Sequence, residues 1–287
     1  MRTDADLDAG APVCSVRLPD AVATSAADAQ DGAVRAAAAR ARSLGLPFTP
    51  RNGRPLAQLW EETECRHIAV LPRRGPPRLH GRGWPAPLVY HPGMAFVRVK
   101  RLLNGEGDKL VDFAGVRAGD RVLDCTAGLG ADAAVFSFAA GPRGAVTALE
   151  VSAPLAWTLF AGARAYSSGM PEFDRALRRM CVGCARFQER LAHVPEDAYD
   201  IVYLDPMFER SIPTEGGIGR LRPFAECAWP ARRDIEAALR AARRKVVVKG
   251  RRRSELWERL GIRELDGATG DTAYGRMDAR EWKRRGR

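Results

Sequence analysis

"RVLDCTAGLGADAAVFSFAAGPRGAVTALE", Arg121 to Glu150, decides the fold. An apolar run closes on Asp124, the chain turns through Gly128 and Gly130, and an alanine-rich segment from Ala131 reads as a helix. "GAVTALE" then returns to a strand that ends in an acid, Glu150. Strand, glycine turn, helix and strand in one short stretch make a βαβ unit. Glycines at the turn allow left-handed backbone and close approach to a ligand, and the first amides of the helix face the same point.

The same alternation extends both ways. Upstream lie "AFVRVKRLL" and "GDKLVDFAGV"; downstream lie "PLAWTLFAGARAYSS", "YDIVYLDP", "RRDIEAALRAA" and "RKVVVKG". Short β-branched runs between amphipathic helices indicate a mostly parallel sheet with helices on both faces, a doubly wound, Rossmann-like α/β domain. It is expected to run from residue 90 to 287, after an N-terminal α/β subdomain at 1–89. In that subdomain the first dozen or so residues are expected to be disordered. "PVCSVRLP" resembles a strand, and a helix is expected from Ser25, its cap, to Leu44, before Gly45 and Pro47. "RHIAVL" (66–71) reads as a strand, and Pro72 to Pro87 as turns and edge strand.

The bulk composition narrows the function. The 287 residues are 46% hydrophobic and 28% charged, and no run approaches the roughly 18 apolar residues that span a membrane. Without a basic segment followed by an apolar one at the N-terminus, a cytoplasmic protein is expected. The net charge is +11, and of 46 basic residues only five are lysine. Compositional bias explains arginine over lysine but not bases over acids, so a polyanionic partner is expected. Six cysteines include one suggestive pair, "CVGC" at 181–184. A zinc site needs two further ligands at compatible spacing, which are missing, so no metal is expected.

Ligands in such sheets bind beyond the carboxyl ends of the strands. Glu150, twenty residues after Gly130, is placed to accept hydrogen bonds from both hydroxyls of a ribose. Gly128, Gly130 and Ala133 also fit the dinucleotide fingerprint, so a nicotinamide oxidoreductase is a rival reading. Two details favour S-adenosylmethionine (SAM). Asp124 precedes the glycines where it can reach the methionine end of that cofactor, and a second turn, "YLDPMF" (203–208), ends a buried strand over the same edge.

This second turn looks like the Asp/Asn-Pro-Pro-Tyr/Phe signature of methyltransferases that act on exocyclic amines of nucleobases. Such an amine is a poor nucleophile because its lone pair is drawn into the ring. Asp205 and the carbonyl of Pro206 would hold its two hydrogens and aim the lone pair, proline stiffens the turn, and Phe208 offers a face for stacking. The base has to be unpaired or flipped.

"DCTAGLGADA", "LE" at 149–150, "YLDPMF" and "KVVVK" (245–249) follow the order and approximate spacing of a known family. The chain resembles the bacterial methyltransferases related to the small-subunit ribosomal RNA guanine-N2 methyltransferase of the J type, from about Tyr90 to Lys249 and on through the hairpin to Ala279. The resemblance implies a class I SAM-dependent methyltransferase fold. It places Ala131 and Asp132 beside the cofactor, Glu150 and Val151 at its ribose, Cys184 and Ala185 near its adenine, and Asp205 at the methyl-transfer end. It also implies ribosomal RNA or the 30S subunit as partner. The first 90 residues do not match the J-type N-terminus.

Arg240 to Arg253, "RAARRKVVVKGRRR", holds eight basic residues and no acid. Lys249, Arg251, Arg252 and Arg253 are expected to hold phosphates near the flipped base, and Arg98, Lys100 and Arg101 form a second candidate cluster. A catalytically silent RNA-binding protein is the remaining rival, and the intact "DPMF" turn argues against it.

Overall fold

The computed structural model describes residues 16–206, 230–266 and 270–286. Its first elements are β1 (Ala21–Thr24), α1 (Asp31–Ser43), α2 (Leu56–Thr63), β2 (His67–Val70), β3 (Arg78–Gly81) and β4 (Leu88–Val89). The four strands form one sheet in the order β1-β2-β3-β4, with β1 and β2 parallel and the other pairs antiparallel. Helix α1 starts at Asp31, not Ser25, because Ser25 is buried directly behind β1 and its hydroxyl caps nothing. Of "PVCSVRLP", residues 12–15 lie outside the described residues and 16–19 form no strand, and β1 begins at Ala21. Pro19 has no N–H to give a ladder, and Asp20 takes a left-handed φ of 50° that turns the chain into β1.

Next come α3 (Ala95–Leu103), α4 (Lys109–Ala114), β5 (Arg121–Asp124), α5 (Ala131–Ala140), β6 (Ala145–Glu150), α6 (Ala153–Ala165), α7 (Pro171–Arg179), β7 (Cys181–Cys184), α8 (Phe187–His193) and β8 (Tyr199–Leu204). The chain closes with α9 (Arg232–Ala241), β9 (Ala242–Arg251), α10 (Leu256–Leu260), β10 (Glu264–Leu265), β11 (Thr272–Asp278) and α11 (Ala279–Arg285). The seven strands β5 to β11 form a second sheet in the order β10-β11-β9-β8-β5-β6-β7. Strands β7, β6, β5, β8 and β9 run parallel, while β11 is antiparallel to both β9 and β10.

The side-chain period of two along each strand builds both layers of the domain. Val122, Ile201, Tyr203 and Val247 face a core that includes Phe136, Trp157 and Phe173 of α5, α6 and α7. Their neighbours Leu123, Val202, Leu204, Val246 and Val248 face the opposite core, packed by α8, α9 and α10. Every residue of β8 is buried, as expected for a central parallel strand covered on both faces. The first of these cores also contains Ala23 and Leu79 of the small sheet, Ala41 of α1, and Val16 and Leu18 ahead of β1, so apolar packing is continuous between the N-terminal elements and the larger sheet. At the contact, Gly162 of α6 lies against Tyr90. A Cβ there would come within 2.0 Å of the Tyr90 Cβ, so only glycine permits the approach.

Chain order reverses at β5. The chain steps from β5 outward through β6 to β7, then returns to the other side of β5 as β8 and moves on to β9. The loops after β5 and β8 therefore leave in opposite directions and open a crevice at the carboxyl ends of these two strands.

Candidate active site

The loop from Cys125 to Gly130 lines one side of the crevice, pinned to the strands on either side of β5. Cys125 N–H donates to the Tyr203 carbonyl at 2.9 Å, and Ala127 N–H to the Leu149 carbonyl at 2.8 Å. Gly128 and Gly130 both take left-handed φ, 55° and 75°, and Gly130 is the N-cap of α5. Their surroundings differ. A Cβ on Gly130 would lie 2.6 Å from Leu159 Cδ1, whereas nothing lies within 4 Å of one on Gly128. Gly130 is glycine for packing, and Gly128 leaves its space to the crevice.

Glu150 ends β6 and stands over this loop. One carboxylate oxygen accepts from Gly128 N–H at 2.9 Å and the other from Ser152 N–H at 2.8 Å. Strand β7 brings Cys184 level with Glu150, and Ala185 N–H donates to the Glu150 carbonyl at 3.2 Å. The Cys184 thiol lies 3.7 Å from the Val151 carbonyl. Small side chains thus flank Glu150 and Val151. The two cysteines of "CVGC" are not paired with each other, since Cys184 is free, and no group of three metal-ligating side chains exists among the described residues.

The other side of the crevice is the turn after β8. Asp205 N–H donates to Thr126 Oγ1 at 2.6 Å, which ties this turn to the glycine loop. The Asp205 carboxylate accepts from Lys249 Nζ at 2.7 Å, and the same ammonium lies 3.2 Å from Asp132 Oδ2. Asp132, in the first turn of α5, also accepts from the Tyr203 hydroxyl at 2.8 Å and from Arg98. Arg98 in turn forks onto Asp108 at 2.7 and 2.8 Å, and Asp108 caps α4.

Burial sets the ionisation of these groups, and their neighbours modify it. Asp124, 1% exposed, is pushed well above the carboxylate range by burial; the Thr126 N–H opposes this, and the negative charges of Asp132 and Asp205 add to it. Burial also raises Asp205, with Lys249 pulling it down and Asp132 pushing it up. Asp132 is buried as well, but Lys249 and Arg98 outweigh the burial and hold it below the usual range. Burial disfavours the Lys249 ammonium, yet Asp205 and Asp132 more than compensate and raise its pKa. Tyr274, paired opposite Lys249 on β11, is pushed up to about 12 by burial and by Asp132.

A family model described as "Putative SAM-dependent methyltransferase" matches residues 90–260. The chain belongs to this SAM-dependent methyltransferase family. The Bacillus subtilis protein "Uncharacterized protein YpiP" is 31% identical over 242 residues, 84% of this chain and 93% of its own. The "Ribosomal RNA small subunit methyltransferase J" of Dechloromonas aromatica is 30% identical over 155 residues, 52% of this chain and 62% of its own. The protein of the same name from Saccharophagus degradans is 34% identical over 161 residues, 50% of this chain and 58% of its own. In structure, a SAM-dependent methyltransferase from Neisseria gonorrhoeae matches 90% of this chain and 95% of its own with a TM-score of 0.54 at 20% identity, a likeness of fold.

The methyltransferase is therefore an enzyme that uses SAM, and the nicotinamide reading is set aside. The crevice fits that cofactor. An open cradle lies at Gly128, the Glu150 carboxylate stands at the end of β6, and small residues sit beside it.

Of the residues singled out in the sequence, Gly128, Gly130, Ala131, Asp132, Glu150, Val151, Cys184, Ala185, Asp205 and Pro206 lie at the carboxyl ends of adjacent strands or at the start of α5. Asp124 lies beneath this surface. Phe208 falls outside the described residues.

The basic candidates differ in their surroundings. Arg98 points inward to Asp108 and Asp132, because a half-buried guanidinium on α3 needs anionic partners. Lys249 bridges Asp205 and Asp132. Arg252 is engaged by the Asp266 carboxylate at 2.8 Å and by the carbonyls of Asp266 and Gly270. Lys100, Arg101 and Arg253 are exposed, although Arg101 lies 2.9 Å from Glu106. Thr126, Tyr203 and Tyr274 were not anticipated. The parallel register of β8 and β9, which puts Leu204 beside Val248, would have set Asp205 beside Lys249 once "YLD" was aligned with "VVK".

Proposed function

We propose that this methyltransferase transfers the methyl group of SAM to an exocyclic base amine, the N2 amine of a guanine in small-subunit ribosomal RNA. The observation that carries the reading is the Asp205–Pro206 turn, tied to the glycine loop through Thr126 and presenting a partly exposed carboxylate beside the crevice. The relatives named as ribosomal RNA small subunit methyltransferases J support the RNA class. SAM bound in the crevice supplies a methyl group on a sulfonium, an electrophile that needs no further activation.

Glu150 accepts hydrogen bonds from the ribose hydroxyls. Val151, Cys184 and Ala185 border the adenine, and Gly128, Gly130 and Ala131 admit the rest of the cofactor to the start of α5. Asp124, buried below, shapes this loop through the Thr126 N–H. On the substrate side Asp205 and the Pro206 carbonyl accept the two amine hydrogens, so the nitrogen lone pair points at the methyl carbon. The amine nitrogen would take the methyl from SAM, which keeps the C–S electron pair on sulfur, and Asp205 or water would take the surplus amine proton. Lys100, Arg101 and Arg253 remain as exposed cations for RNA phosphates, of ribosomal RNA alone or within the 30S subunit.

The test is to compare the modified nucleosides of small-subunit ribosomal RNA from cells with and without the gene. Loss of one N2-methylguanosine is expected; an unchanged complement of methylated guanosines would refute the assignment.

A further inference from the structure

A ladder of alternating charges joins the two sides of the crevice. It runs from Asp205 after β8 to Lys249 of β9, to Asp132 in the first turn of α5, to Arg98 of α3 and to Asp108 ahead of α4. Among the described residues, Lys249 is the rung that touches both the turn after β8 and the first turn of α5. The Asp205 carboxylate, partly exposed to the crevice, has like charges beside it. Facing it or its lysine are Asp124 from β5, Asp132 from α5, Tyr203 from β8 and Tyr274 from β11, with Arg98 and Asp108 one contact further away. Such surroundings drive a carboxylate to take up a proton. A protonated Asp205 would present an O–H donor where the amine needs an acceptor.

We infer that Lys249 is a positioning residue for methyl transfer: its ammonium, shared between Asp132 and Asp205, keeps the Asp205 carboxylate ionised and oriented to accept a hydrogen of the target amine. The inference rests on the proposed reaction at Asp205. Two perturbations of the ladder act on Asp205 with opposite sign. Removing the cation, in Lys249→Met, leaves Asp205 opposed only by acids, so its pKa rises. Removing the competing acid, in Asp132→Asn, leaves the cation to Asp205, so its pKa falls.

The experiment is the single-turnover rate of methyl transfer from labelled SAM to small-subunit ribosomal RNA across pH, alongside an NMR titration of the Asp205 carboxyl carbon in the SAM-bound protein. For Lys249→Met the acidic limb of the rate profile and the NMR midpoint are both expected to move up by about 1–3 pH units, the range for an opposite charge at contact distance. Activity then returns as the pH is raised. Lys249→Arg is expected to keep the limb near its wild-type position, and Asp132→Asn to move it down. A uniform loss of rate with an unmoved limb in Lys249→Met, or an upward shift in Asp132→Asn, overturns the inference. If Lys249→Met fails to fold, judged by loss of SAM binding in calorimetry, the direction of the Asp132→Asn shift decides. Wild-type protein that transfers no methyl to a base amine ends the proposed reaction instead, and the NMR midpoints still decide whether Lys249 sets the ionisation of Asp205.

Discussion

Alanine at Gly128 and alanine at Gly130 should fail in different ways, although the two glycines are two residues apart and both left-handed. Each substitution imposes the left-handed conformation on a residue with a Cβ, at a cost of about 1–2 kcal/mol. At Gly128 nothing else is near: the methyl enters space with no atom within 4 Å. The fold should lose only that backbone cost, a fall in Tm of a few degrees, while the methyl occupies the cradle against which the cofactor packs. A loss of SAM affinity of about tenfold or more, ~1.4 kcal/mol or above, is expected. At Gly130 the Cβ meets Leu159 Cδ1 at 2.6 Å, so α5 or α6 has to shift. Overpacking adds about 1–3 kcal/mol to the backbone cost, and the larger fall in Tm should belong to this variant. Thermal denaturation of the two variants without ligand, paired with calorimetric titration of SAM, separates the effects. A Gly128→Ala protein that binds SAM as tightly as wild type would refute the placement of the cofactor against this loop.

Glu150→Gln is expected to weaken SAM by about 1–3 kcal/mol, the worth of charge-assisted hydrogen bonds to a diol; unchanged affinity by calorimetry would remove Glu150 from the ribose. Arg98→Met leaves Asp108 and Asp132 buried with one cation fewer and should cost about 3–5 kcal/mol near neutral pH. Both carboxyls are held below their ordinary range, burial being outweighed by Arg98 for Asp108 and by Lys249 and Arg98 for Asp132. Their stabilisation is therefore full above about pH 4 and lost as the pH falls through the lowered folded values. The gap between wild type and Arg98→Met in urea titrations should accordingly close on acidification, and a gap independent of pH would argue against this ion cluster. Arg253→Ala should reduce RNA affinity and the slope of its salt dependence by up to about one unit in filter binding, whereas Arg252→Ala should lower Tm through the loss of its Asp266 contacts. The reverse pattern would place the RNA elsewhere.

The sheet was legible because its strands are short β-branched runs whose two faces alternate, as Val122 and Leu123 or Val246 and Val247 do. Its ligand edge was legible because glycine and proline punctuate the strand ends at Gly128, Gly130 and Pro206. The basic side chains were harder to read, since sequence records charge but not direction. Arg98 and Lys249 carry the same charge as Lys100 and Arg253, yet the first two reach acids far off in the chain, Asp132 for both and Asp205 for Lys249. Only the packing of α3 on α5 and the register of β8 with β9 bring them together. Helix α1 was misplaced at its start for a local reason: Ser25 looked like a cap, but β1 had already drawn it into the interior.

The central claim is that Asp205 holds an exocyclic guanine amine for methyl transfer. The measurement that tests it most directly is single-turnover transfer of labelled methyl from SAM to small-subunit ribosomal RNA, followed by nucleoside analysis of the product, for wild type and Asp205→Ala. The label is expected in N2-methylguanosine, and for Asp205→Ala a rate lower by about 10²-fold or more with RNA affinity little changed, because the interaction matters mainly in the transition state. Label in any other position, or an Asp205→Ala protein that transfers methyl at the wild-type rate, would contradict it.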